Sequence, residues 1–117
     1  MKTPTDFISE LHARVVDENT IIYQQLLSAN PAQAKGAWQQ MIQLFATLDQ
    51  SQKDAFVRLL RQVSVDSVSS VLLVIDENSM AREAENQLRL FNGVNKLVSG
   101  DLQDSFLAEE ERKGIPF

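Results

Sequence analysis

The chain has 117 residues, 44% hydrophobic and 23% charged, with a formal net charge of -5, a composition that excludes disordered and fibrous classes and fits an ordinary globular domain. At this length one self-sufficient core is expected, burying roughly two thirds of the surface that the unfolded chain exposes. Cysteine is absent, and the charges divide as three cations against five acids over residues 1–50 and eight against eleven over 51–117, so disulfides and thiol chemistry are excluded and no basic half awaits a phosphate backbone.

Met1 to Leu11 carries Lys2, Asp6 and Glu10 and no secretory apolar run. The longest apolar run, Val71 to Ile75, is far short of the ~20 residues of a membrane span. The expectation is a single domain over 1–117, cytoplasmic and without membrane contact.

Thr3-Pro4-Thr5-Asp6 reads as a helix start, with Thr3 as N-cap, Pro4 at the first helical position and Asp6 closing a capping box. Phe7, Leu11, Val15, Ile22 and Leu26 then share one stripe. This predicts a helix from Pro4 to Ser28, weakened near Asp17 by the poor helix formers Asn19, Thr20 and Ile21. Asn30-Pro31 starts a second helix, whose apolar face is Trp38, Met41, Ile42, Phe45 and Leu48. Ser51-Gln52-Lys53-Asp54 starts a third after a short connection, with Phe56, Leu59, Leu60 and Val63 at helical spacing. Val71 to Ile75 suits either a buried strand or a helix. The period of Val65, Val68, Val71, Leu72 and Ile75 favours a fourth helix, because a lone central strand would lack partners. Asp76 to Glu85 is polar and reads as a loop.

Gln87 to Val98 alternates apolar residues around Asn92-Gly93, the strongest short hairpin signal, since both residues tolerate the positive φ of a type I′ turn. It makes the expected fold class α+β, predominantly helical: about four N-terminal helices, one antiparallel β-hairpin over 87–99, and a short terminal helix over 101–113. A two-residue loop sets Arg89 opposite Lys96, whereas a four-residue loop separates these charges. Both registers put Leu88, Leu90 and Leu97 on one face, which must pack on helices. The other face carries Phe91, Val98, Arg89 and Lys96. It is either covered by Leu102 and Phe106 of the final helix or exposed as a protein-binding surface. Gly100 to Asp104 opens that final helix with acids where the macrodipole favours them, and Gly114 and Pro116 end it.

Constellations for chemistry are sparse. His12 is the sole histidine and lies one position off the first helix's stripe, with neither a second zinc ligand nor a nucleophile elbow, so a structural or solvated role is expected. The acid pairs Glu83/Glu85 and Asp76/Glu77 lack apolar walls to raise a pKa. Asp76-Glu77-Asn78 lacks the spacing of a calcium loop. Four glycines make no nucleotide fingerprint. Helices three and four, joined near Ser64, resemble a helix-turn-helix superficially but offer no base-reading side chain between Val63 and Asp76. Glu109-Glu110-Glu111-Arg112-Lys113 reads as a solvated helix end or, more sharply, a dock for a basic partner. Trp38, Met41, Phe45 and Phe56 read as core.

No catalytic set, cofactor or metal site is expected, and no nucleic acid. The sequence points to a small acidic protein-interaction module, an adaptor, regulator or inhibitor in the manner of immunity or antitoxin proteins. The alternative is a homo-oligomeric structural domain, and an enzyme with an unrecognised site ranks third.

Overall fold

A computed structural model describes residues 3–79 and 100–113. Their elements, in chain order, are α1 (Pro4–Leu11), a π-helical segment (His12–Glu18), α2 (Asn19–Leu27), a 3-10 turn (Pro31–Gln33), α3 (Ala37–Ala46), α4 (Gln50–Ser79) and α5 (Leu102–Lys113). No strand occurs among the described residues. The α+β class is therefore corrected to a helical one: the core closes helix against helix and draws on no sheet face. The expected hairpin, 87–99, lies outside the described residues.

The first helix starts as its sequence predicts. The Asp6 N–H donates to Thr3 Oγ1 and the Thr3 N–H to Asp6 Oδ2, both at 3.1 Å. Near Asp17, where the expected helix is weakened, the backbone stays helical but widens into π turns. These take more residues per turn than α turns, so a stripe read at the α period slips. Ile8, His12 and Val16 become the buried positions, one residue along from the expected Phe7, Leu11 and Val15, and Ile22 and Leu26 of α2 are left exposed.

The second helix begins later than Asn30-Pro31 suggests. Asn30 Oδ1 accepts from the Ala32 N–H at 3.0 Å, but this cap serves only the 3-10 turn. The chain then turns through Gly36, at φ 63°, into α3, a conformation that a side chain would strain.

The expected third and fourth helices are one continuous helix, α4, of 30 residues. It starts at Gln50, one residue before the Ser51 signal, because Asp49 and Gln52 form the reciprocal capping box: the Gln52 N–H donates to Asp49 Oδ1 at 2.8 Å and the Asp49 N–H to Gln52 Oε1 at 2.9 Å. Ser64, taken for a joint, stays helical and donates its hydroxyl to the Leu60 carbonyl at 3.2 Å, which a helix interior tolerates. No helix-turn-helix exists there. Val71 to Ile75 is helical, and α4 extends through Asp76, Glu77 and Asn78, the first residues of the expected loop.

The core gathers Ile8, Val16, Val65, Leu72, Leu102 and Phe106, flanked by Phe7, Leu11, Val68 and Ile75. On α4, Arg61, Val65, Ser69, Leu72 and Asp76 follow the four-and-three spacing of a coiled-coil seam, and α5 lies antiparallel along it, Glu110 beside Arg61 and Leu102 beside Asp76. Leu27, Ile42 and Phe45 are buried apart from that cluster, toward α2 and α3. There Phe45 meets Phe56 edge-on, with centroids 5.8 Å apart.

Candidate functional site

Two constellations stand out, and they differ in kind. The first is polar. His12 is fully buried at 0% exposure and lies against the Phe106 ring, with centroids 5.5 Å apart. Its Nε2 is 3.1 Å from Glu110 Oε2. A carboxylate only accepts, so Nε2 carries the proton. Nδ1 is buried without a hydrogen-bond partner, 3.7 Å from Asp17 Oδ2. Arg61 joins the two acids: Nη2 donates to Glu110 Oε1 at 2.9 Å and Nη1 to Asp17 Oδ1 at 2.8 Å.

Partial burial penalises the Asp17 carboxylate, but the hydrogen bond and charge of Arg61, with Lys113 nearby, outweigh it and hold its pKa below the ordinary value. Arg61 is likewise opposed by burial and held charged by Asp17 and Glu110, which move its pKa upward. On α5, Glu109 is held below its ordinary range by Arg112 and Lys113 against a desolvation cost. The Glu109-to-Lys113 run is thus no free helix end. It pairs within itself and, through Glu110 and Lys113, fastens α5 to the π segment and α4.

Asp76 secures the other end of α5. Its Oδ1 accepts from the N–H groups of Gly100 and Leu102, at 2.8 and 3.1 Å, and its Oδ2 from that of Gln103 at 2.9 Å. One buried carboxylate from α4 therefore caps a helix more than twenty residues away in sequence. Gln103 Nε2 also donates to the buried Ser69 Oγ at 3.0 Å. A fully enclosed His12 meets no substrate in this arrangement, and Asp76 spends both oxygens on backbone. The chemistry of this constellation is fastening.

The second constellation is apolar. Between Asn19 and Leu48 the chain holds one charged residue, Lys35. The segment forms α2, the 3-10 turn and α3, and it leaves Ile21, Ile22, Tyr23, Leu26, Trp38, Met41 and Leu44 exposed, Leu44 most of these at 57%. Trp38 and Met41, expected in the core, are 39% and 42% exposed because the narrow inward face of α3 is filled by Ile42 and Phe45 alone. Tyr23 and Trp38 stack across the two helices, with centroids 6.1 Å apart at 22°. Gln39 Nε2 ties α3 back to the Pro31 carbonyl at 3.2 Å.

The protein-binding residues expected on the hairpin, Phe91, Val98, Arg89 and Lys96, lie outside the described residues, as do Glu83 and Glu85. Leu102 and Phe106, weighed as a cover for that hairpin face, are buried against Ile8, Val16, Val65 and Leu72. Among the described residues no group of three or more acidic, histidine or cysteine side chains could hold a metal ion, and no helix is long and apolar enough to cross a membrane. Comparison of the chain with protein-family models, with curated proteins and with solved structures finds no match, so the functional reading rests on these two constellations.

Proposed function

We propose that the chain is a protein-interaction module that binds its partner through the exposed apolar surface of α2 and α3. One observation carries the reading: residues 19–48 hold a single charge and expose seven large apolar side chains in a chain with 16 acidic residues. Charge depletion with enrichment in aromatic residues and methionine is the compositional mark of an interface core, and Tyr23, Trp38 and Met41 supply it here. Large contiguous apolar patches are uncommon on monomers without a binding role, and here Tyr23 and Trp38 already join the exposed faces of the two helices. The fastened half, by contrast, spends its polar groups on holding helices together.

Leu44 is the position to test, because it contributes area to the surface and little to the interior. Affinity capture from the native host with the wild-type chain and with Leu44→Gln, followed by binding of the purified captured protein, decides the matter. One protein retained by the wild type, lost with Leu44→Gln and rebound in purified form supports the reading. Equal capture by both chains overturns it. A concentration-dependent dimer that Leu44→Gln dissociates would replace the foreign partner with a second copy.

A further inference from the structure

We propose that the cleft between α2 and α3 binds a small carboxylate with an apolar body, the hydrocarbon or aromatic part lying inside and the carboxylate meeting Lys35. The cleft has a volume of about 480 Å³, within the range of small-ligand sites. Its wall is apolar: Leu26 and Ala29 from the first side, Ala34, Trp38 and Ile42 from the second. The polar groups in its lining are Asn30, Gln33 and Lys35.

The donors in that lining select the ligand's charge. Asn30 spends its oxygen on the Ala32 N–H and keeps its amide N–H groups. Lys35 offers three donors and a full positive charge, with no ion pair among the described residues. No acidic side chain occurs from residue 19 to residue 48, and none is among the residues that line the cleft. Arg61, Arg112 and Lys113, by contrast, are each engaged by acids. An apolar cavity with a lone unpaired cation in its lining complements an apolar anion and opposes an apolar cation. Tyr23 stacked on Trp38 adds an aromatic platform at the edge.

Trp38 is the chain's single tryptophan, so its fluorescence reads the cleft directly. The full chain is titrated with decanoate, decyltrimethylammonium and acetate, each below its aggregation threshold, with calorimetry alongside. Saturable one-site binding of decanoate is expected, with no binding of acetate or of the cation. Lys35→Gln should weaken decanoate by about fivefold, the scale of one solvent-accessible charge contact. Ala29→Phe, checked for native helicity, should block the cleft and abolish binding while leaving Trp38 the sole tryptophan. Leu44→Gln should leave decanoate binding intact, so loss of the protein partner and loss of the small ligand are separate results. Equal responses to the anion and the cation, unchanged affinity in Lys35→Gln, or no saturable signal each overturn the proposal.

Discussion

The seam between α4 and α5 and the surface of α2 and α3 solve opposite problems with nearby parts of one chain. Along the seam, polar groups are drawn inward and paired: Asp76 takes three backbone donors, and Arg61 bridges two carboxylates. On α2 and α3 charge is almost eliminated, and apolar side chains face water. A buried charge is tolerated only when its hydrogen bonds are satisfied, so the seam constrains its partners tightly. An exposed apolar side chain adds little to the stability of the free chain, which leaves the second region free to serve recognition.

The contrast is most easily broken at Phe106, fully buried among the core side chains and beside His12. Phe106→Ala should cost about 3–5 kcal/mol, the usual toll of a large core truncation. Urea unfolding followed by both far-UV circular dichroism and Trp38 fluorescence measures it. Coincident transitions would mean that the two regions unfold together. A Trp38 transition left in place while helicity falls would mean that α2 and α3 hold themselves together through Leu27, Ile42 and Phe45.

Next in size is Asp76→Ala, which leaves three N–H groups at the start of α5 without their acceptor, for a loss of about 2–4 kcal/mol. Gly100, at φ 130°, lies beside this cap, and any side chain there would add backbone strain. Hydrogen exchange should show α5 losing protection before α1 and α4. If protection falls equally everywhere, α5 is not held mainly by its cap.

Arg61→Met should be milder, about 1–2 kcal/mol, because Asp17 is 36% exposed and water takes over part of the pairing. Acid tests the same contacts from the other side. Asp17 and Glu109 have pKa values below their ordinary 3.8 and 4.5. Their contribution is therefore complete above about pH 4.5 and drains away as pH falls through the lowered values. Urea midpoints should drop on acidification below that point, and the part due to Asp17 should shrink in Arg61→Met, leaving what Lys113 and His12 still contribute. An unchanged acid slope in the variant would show that Arg61 does not hold Asp17.

The helical content was legible where the signals are local. Thr3 and Asp6 cap the first helix as read, and α5 covers nearly the span expected of it, because capping and amphipathic spacing act over a few residues. Three features lay beyond that range. The π turns at His12–Glu18 carry no distinctive sequence mark, and they moved His12 from beside the stripe into it. Asp76 stood in a polar run that resembled a loop, and its role depends on N–H groups far along the chain. The Ser64 joint came from dividing Phe56–Val63 and Val65–Ile75 into two periodic runs, where the structure has one helix continuous through both. The α2–α3 surface did leave a signal. Half-chain charge counts average over it, whereas a thirty-residue window isolates the stretch from Asn19 to Leu48 with Lys35 as its lone charge.

The smallest effect on stability belongs to Leu44→Gln, and that smallness is what makes it decisive. Leu44 is 57% exposed, so the polar replacement should move the unfolding free energy by no more than about 0.5 kcal/mol. The contrast between the two regions requires this near-neutrality together with loss of binding. A destabilisation approaching that of Phe106→Ala would place Leu44 in a packed interior and dissolve the distinction, since α2 and α3 would then be core like the seam. Near-neutral stability with unaltered binding would preserve the distinction and move the recognition surface off Leu44. The pairing of an unchanged urea midpoint with a lost partner is therefore the outcome that assigns holding to one region and recognition to the other.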